Sequence, residues 1–269
     1  MGTRMKLLIV EGNIKKTREE REKVGIDPFH LLFPKMLKLL EPLAKTEAVF
    51  PADDDKHLPT VQQLKEYDGV LWTGSALSVL DDIPSVTRQL SFAEDVFKSG
   101  VPFYGSCWGM QVATVAAGGK VAQSPIGLEV GISKPIKLTD AGKKSPFFKN
   151  REDNFKALCI HFDEVVKLPE NSIVLAENDH SKVQAMTISY KKSQFFGVQY
   201  HPEFQTLDMA QIISFLSEKL IDIGAFSSKE EVEKLVNKLI DQDQLPQEIS
   251  DYLIHTQEIK SWLNYISYK

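Results

Sequence analysis

The apolar run Val101-Pro102-Phe103-Tyr104 ends on Gly105-Ser106-Cys107-Trp108-Gly109, and small residues at helical spacing follow. A strand that stops on a cysteine set between two glycines, then turns at once into a helix, fits few architectures. The G-x-C-x-G spacing has a steric cause. A sharp strand-to-helix turn strains the central backbone, so the residues two before and two after it must be small. Ala113, Ala116, Ala117, Gly118 and Gly119 let the helix starting near Met110 lie close on a sheet. Its N-terminus would aim free N–H groups and the positive dipole end at the sulfur, favouring thiolate. The N–H of Trp108 could then face an oxyanion. Taken alone, the pattern is equally that of one more buried cysteine.

Elsewhere the chain reads as layered α/β. Residues 7–10, 48–50, 69–73 and 102–104 read as strands, and 61–66 and 86–98 as helices. Residues 30–43 carry Leu31, Leu32, Met36, Leu37, Leu39 and Leu40 and suit a helix packed on a sheet, with Pro34 near its start. Strands alternating with helices argue for a mostly parallel sheet covered on both faces. From about residue 126 to 198 the texture changes. Short runs at 132–138, 155–159, 172–175, 183–188 and 195–199 are separated by turn residues, as in antiparallel additions. Residues 207–220 read as a helix with Met209, Ile212, Ile213, Phe215 and Leu216 on its core face.

The expected division is an α/β domain over 1–225 and a helical extension over 226–269. Ser227-Ser228-Lys229-Glu230 is a capping-box pattern, followed by Val232, Leu235, Val236, Leu239 and Ile240 at helical spacing. A second segment near Pro246 places Ile249, Leu253, Ile254, Trp262 and Ile266 among polar residues. The two read as a helical hairpin docked on the body of the chain.

Composition narrows the function. The formal charge of -5 is mild and spread along 269 residues, which gives no reason to expect nucleic acid as a partner. No apolar run approaches the roughly 18 residues of a membrane span. The opening Met1-Gly2-Thr3-Arg4-Met5-Lys6 lacks a small-residue cleavage site, so no signal peptide is expected. Two cysteines, Cys107 and Cys159, make neither a disulfide framework nor a four-ligand zinc site. The expectation is a cytoplasmic protein with free thiols, no metal and no cofactor.

The second chemical signal is Gly197-Val198-Gln199-Tyr200-His201-Pro202-Glu203-Phe204, a strand that ends on His-Pro-Glu. Proline removes a backbone donor, fixes φ and disfavours helix at the residue before it. A cysteine nucleophile needs a base, and the base an orienting carboxylate; His201 and Glu203 are the economical candidates.

The stretch "GSCWGMQ" followed by "FFGVQYHPEF" resembles the class I (triad-type) glutamine amidotransferases, over roughly residues 5–220. The resemblance implies a flavodoxin-like class I glutaminase fold and a small-molecule substrate. A cysteine thiolate would attack the γ-carbonyl of glutamine or a γ-glutamyl compound, and water would hydrolyse the thioester. By position it makes Cys107 the nucleophile, His201 the general acid/base and Glu203 its orienter. Gln111 falls where the family binds the α-amino-acid end of glutamine, beside Met110. The oxyanion hole would combine the N–H of Trp108 with one from the loop Thr73-Gly74-Ser75-Ala76, assigned to Ser75 next to Gly74. Many members read Gly-Gly-Pro there; this chain reads Gly-Ser-Ala. "CIHFDEVVKLP" is similar to the family's His-x-Asp-x-Val stretch and makes His161, Phe162 and Asp163 pocket residues.

Other candidates have blander readings. His180, beside Asp179 and Ser181, reads as a turn residue and Cys159 as inert packing, while His30, His57 and His255 have no chemical neighbours in sequence. Three functions share the pattern. The first is a glutaminase that supplies ammonia to a synthetase on a separate chain, since no phosphate-binding or pyrophosphatase loop is present. The alternative is a free-standing γ-glutamyl peptidase or hydrolase, the branch in which Gly-Ser also replaces Gly-Gly in the early loop. The third is a non-catalytic binding protein, against which an intact Cys-His-Glu set argues.

Overall fold

The computed structural model describes residues 5–268. Residues 1–4, part of the stretch read for a leader, and Lys269, the last residue of the expected extension, lie outside the described residues. The first half alternates strand and helix. β1 (Lys6–Val10) leads through α1 (Lys15–Lys23) and α2 (Phe29–Leu40) to β2 (Lys45–Val49). Then come α3 (Val61–Leu64), β3 (Gly69–Trp72), α4 (Pro84–Ser99), β4 (Phe103–Ser106) and α5 (Trp108–Ala116). Short strands dominate next: β5 (Lys120–Gln123), β6 (Glu129–Ile132) and β7 (Ile136–Leu138), then α6 (Asp140–Lys144) and β8 (Asn154–Phe155). β9 (Leu158–His161), β10 (Asp163–Lys167), β11 (Ser172–Glu177), β12 (Ala185–Tyr190) and β13 (Ser193–Val198) complete the set.

The main sheet has the order β2-β1-β3-β4-β13-β12-β11-β7-β8. Its first five strands run parallel, and β12, β11, β7 and β8 follow, each antiparallel to the strand before it. This is the expected α/β class, a mostly parallel sheet flanked by helices. β5 pairs with β10 and β6 with β9 outside that sheet. Every residue of β3 and β4 is buried, as parallel strands covered on both faces require. Alternation assigns the faces: Leu7, Ile9, Leu71 and Tyr104 join one core with α2 and α7 (Thr206–Phe215), while Leu8, Val10, Val70 and Phe103 join another with α4 and α5.

Several local expectations fail for reasons of helical period and backbone chemistry. The helix expected from residue 30 starts at Phe29, so Pro34 lies inside it, past the first turn. Its buried stripe is Phe29, Leu32, Phe33, Met36, Leu37 and Leu40; Leu31 and Leu39 fall off that stripe and are 42% and 60% exposed. The run 132–138 is not one strand. Pro135 cannot donate to a ladder, and β6 and β7 on either side join different sheets. The run 207–220 is split between α7 and α8 (Ser217–Asp222), and Phe215, out of step with Met209, Ile212 and Ile213, is 43% exposed.

The C-terminal segment holds α9 (Lys229–Ile240), α10 (Gln247–Ser250), α11 (Tyr252–His255) and α12 (Gln257–Ser267), so its second arm is three short helices rather than one. Asp251 interrupts it, its side chain capping the N–H groups of Leu253 and Ile254. Leu253 is exposed, but Ile259, Trp262, Leu263 and Ile266 enter the core on the α2 face. The Trp262 ring lies 6.0 Å from that of Tyr104, and a Cβ at Gly69 would sit 2.7 Å from the indole. Replacing Trp262 by Ala is expected to destabilise the fold by about 3–5 kcal/mol. A urea denaturation midpoint close to wild type in that variant would show that α12 contributes little to folding.

Candidate active site

Two adjacent parallel strands bring the two chemical signals together. β4 and β13 pair with Val198 opposite Ser106, and Cys107 and His201 follow at the same end. The Cys107 N–H donates to the Val198 carbonyl at 2.8 Å, which fastens the cysteine turn to the strand that delivers the histidine. Cys107 has φ 48° and ψ −102°, in the left-handed region that side chains rarely occupy. Its flanking glycines are in tight contact. A Cβ on Gly105 would lie 2.6 Å from the Gly109 carbonyl carbon, and one on Gly109 2.6 Å from the Trp72 carbonyl oxygen. α5 begins at Trp108, immediately after the cysteine and earlier than expected. The thiol points to the Ile160 carbonyl at 3.7 Å.

His201 Nδ1 is 2.7 Å from Glu203 Oε1, and the same oxygen accepts the Ser106 hydroxyl at 3.0 Å. His201 is 2% exposed, Glu203 0% and Cys107 6%, so the group is shielded from water. With Nδ1 engaged by Glu203, Nε2 on the opposite edge of the ring is buried without a hydrogen-bond partner. Burial is the largest single influence on His201 and pushes its pKa down. The Glu203 carboxylate, which also bonds Nδ1, and the Cys107 sulfur outweigh burial and raise it from 6.5 to about 10. Protonated His201 therefore contributes stability that is full below pH 6.5 and fades as pH climbs through about 10.

Two phenylalanines line the imidazole. Phe204 stacks on it at 4.6 Å between ring centroids and Phe29 at 6.3 Å. Gly74 closes the edge, since a Cβ there would meet His201 Cε1 at 2.8 Å. Ser75 lies with Trp108 around Gly12, where an added Cβ would touch Trp108 Cδ1 at 2.8 Å and Ser75 Cβ at 3.1 Å. Asn13 holds this loop by accepting from the Ala76 N–H at 2.8 Å. Gln89 of α4 accepts from the Trp108 indole at 2.8 Å and donates to the Gly12 carbonyl at 3.1 Å. Asn13, Phe29, Gln89 and Phe204 were not among the sequence candidates. Gln89 alone left a signal, as a polar residue in step with Val86, Ala93 and Val96 on an apolar helix face.

The remaining candidates form a neighbouring group. Gln111 donates to the Asp163 carbonyl at 3.1 Å, and the Asp163 carboxylate accepts from Ser78 at 2.6 Å. His161 is buried, with Nε2 2.9 Å from Glu129 and Nδ1 3.3 Å from the Asp163 carbonyl. Both ring nitrogens are thus occupied, and Glu129 also accepts from Asn178 and Gln184. Met110 is fully buried, and the Phe162 carbonyl accepts the Ser124 N–H. Cys159 is fully buried, and burial, then Glu129 and Cys107, push its thiol pKa well up. His180 occupies a turn against the Gly127 carbonyl. Among the described residues no cluster of His, Cys, Asp and Glu suits a metal ion, and no helix is long and apolar enough to cross a membrane.

Cys107→Ala removes the sulfur's upward influence on the His201 pKa and leaves Glu203 in place. The imidazole is then expected to titrate at lower pH than in the wild type, read by NMR of histidine-labelled protein. An unmoved titration would show that the ring does not sense the sulfur.

Comparison with known proteins adds to this geometry. Residues 37–218 match the family model described as glutamine amidotransferase class-I. Over 234 residues, 86% of this chain and 78% of the other, the sequence is 36% identical to gamma-glutamyl-L-1-hydroxyisopropylamide hydrolase from a Pseudomonas species. It is 34% identical to a subunit of the glutamine-hydrolysing GMP synthase of Sulfolobus acidocaldarius, over 54% of this chain and 71% of that one. The crystal structure of a glutamine amidotransferase from Thermotoga maritima covers 99% of this chain and 100% of its own, with a TM-score of 0.71 at 17% identity.

Proposed function

We propose, from the premise that this chain belongs to the glutamine amidotransferase class-I family, that it hydrolyses γ-glutamyl amides through a thioester on Cys107. The observation that carries the reading is the buried His201–Glu203 pair beside a cysteine held at φ 48°. In this reading the sulfur attacks the γ-carbonyl carbon, and the carbonyl oxygen takes up negative charge. The N–H groups of Trp108 and Ser75 stabilise that charge. His201, kept protonated by its two neighbours, gives its proton to the departing nitrogen as the C–N bond breaks. It then takes a proton from water as the thioester is hydrolysed; the sulfur leaves as the thiolate that began the cycle, and the new γ-carboxyl group gives its remaining proton to solvent. Glu203, fixed by Ser106, keeps the ring in register throughout. Asp163 and Gln111 serve the α-amino-acid end, the carboxylate suiting an ammonium group.

Glutamine itself was the leading expectation, with a larger γ-glutamyl compound as the alternative. The similarity to a γ-glutamyl amide hydrolase over 86% of this chain, against 54% for the GMP synthase relative, supports the alternative. An ammonia-consuming synthetase on another chain is the competing reading. It predicts that glutamine turnover rises when such a partner is added.

The purified chain is expected to release amine from γ-glutamyl alkylamides faster than ammonia from glutamine. Cys107→Ala should reduce both by at least about a thousandfold while the circular dichroism spectrum stays unchanged. Mass spectrometry of rapidly quenched wild-type protein should find a glutamyl adduct on the Cys107 peptide. Turnover by Cys107→Ala at the wild-type rate would end the proposal.

A further inference from the structure

His201-Pro202-Glu203 lies beyond β13, in a turn with no strand ladder to hold it. Pro202 has no N–H to offer. The His201 N–H is taken by the Leu158 carbonyl at 2.8 Å, which anchors the start of the segment. The carbonyls on either side of Pro202 are held by α11. His255 Nε2 is 3.1 Å from the His201 carbonyl, which also accepts the Phe204 N–H at 3.3 Å, and His255 Nδ1 is 3.1 Å from the Glu248 carbonyl. The tautomer with its proton on Nε2 donates to His201, and the Tyr252 hydroxyl donates to the Glu203 carbonyl at 2.7 Å. Tyr252 and His255 are three residues apart, on one face of a single helical turn.

The turn that carries them is itself fixed by buried charge. Glu258 of α12 pairs with Arg151 through two hydrogen bonds, of 2.9 and 2.6 Å, and both side chains are essentially inaccessible. Arg151 also donates to the His255 carbonyl at 3.3 Å. Glu258 accepts from the hydroxyl of Tyr200, the residue before His201, at 2.8 Å. The helical segment thus grips the chain at three points, Tyr200, His201 and Glu203. The family match ends at residue 218, so this grip is supplied from outside the matched region.

We propose that Tyr252 and His255 are positioning residues for the reaction at Cys107, clamping the carbonyls of His201 and Glu203 so that the imidazole meets the sulfur at the productive angle. The inference rests on the reading of His201 as the proton carrier. A side chain that only filled space at these positions would have no need of a polar atom aimed at each carbonyl. Loss of the clamp would let the peptide units of His201 and Glu203 shift, and small misplacement of a proton carrier is costly to rate.

The test uses Tyr252→Phe, His255→Leu and His255→Gln in the full chain with a γ-glutamyl alkylamide, and NMR titration of His201 with no substrate present. Tyr252→Phe and His255→Leu are expected to lower kcat about tenfold to a hundredfold with KM within about twofold. In both, His201 should titrate at lower pH than in the wild type, because its contact with the sulfur loosens. His255→Gln, which keeps an N–H donor, should recover much of the rate lost in His255→Leu. Should His255→Leu fail to fold, Tyr252→Phe, which removes one oxygen, decides. Folded variants with wild-type kcat and an unshifted His201 titration would overturn the proposal. So would a loss of rate that follows only the fraction of folded protein, without rescue by Gln. If the wild type turns over no γ-glutamyl substrate, the hydrolase reading fails, and the titration still decides whether the clamp sets the imidazole.

Discussion

The hydrogen bond from the Cys107 N–H to the Val198 carbonyl joins the ends of β4 and β13, and the candidate site depends on it. Parallel neighbours in a sheet deliver their C-terminal ends to one edge, which is where open α/β sheets bind ligands. The pairing of β4 with β13 is what brings the cysteine turn and the distant His-Pro-Glu segment to one edge. Replace that neighbour with any other strand and the cysteine turn would not adjoin the strand that leads into His201.

The same junction explains how a strained residue persists. A non-glycine backbone at φ 48° costs of order 1–3 kcal/mol and survives only where its surroundings over-determine it. Here the N–H is tied to β13, Gly105 and Gly109 pack without room for a side chain, and α5 starts at the next residue. Around this rigid point several buried polar side chains are linked in chains. Gln89 links the Trp108 indole to the Gly12 carbonyl, and Glu129 gathers His161, Asn178 and Gln184. Linked contacts of this kind favour one arrangement of a site, because a rotation that breaks them leaves a further buried group without a partner.

Much of this was legible in the chain. The alternation of strands and helices, the cysteine turn and the His-Pro-Glu strand end are local patterns, and local sterics dictate them. The errors were also local in kind. Leu31, Leu39 and Phe215 are apolar but out of step with the helical stripe, and Pro135 divides a run that hydropathy alone joins. Gln89 was readable as a polar residue on an apolar face. Asn13 and Phe29 were not, because loop and helix-start side chains take their direction from whatever packs against them. His255 had no chemical neighbour in sequence, yet its ring reaches the carbonyl of His201.

By itself, the sequence determined the class of fold, the bend that presents Cys107 and the tripeptide that carries His201 and Glu203. These follow from glycine, proline and period, which act over a few residues. Only the tertiary structure decided that β13 lies beside β4, that Phe29 and Phe204 wall the imidazole, and that Tyr252 and His255 hold its backbone. Those contacts join segments far apart along the chain. Their geometry is set by how the helices and the sheet share one buried volume, and no pattern within a single segment encodes it.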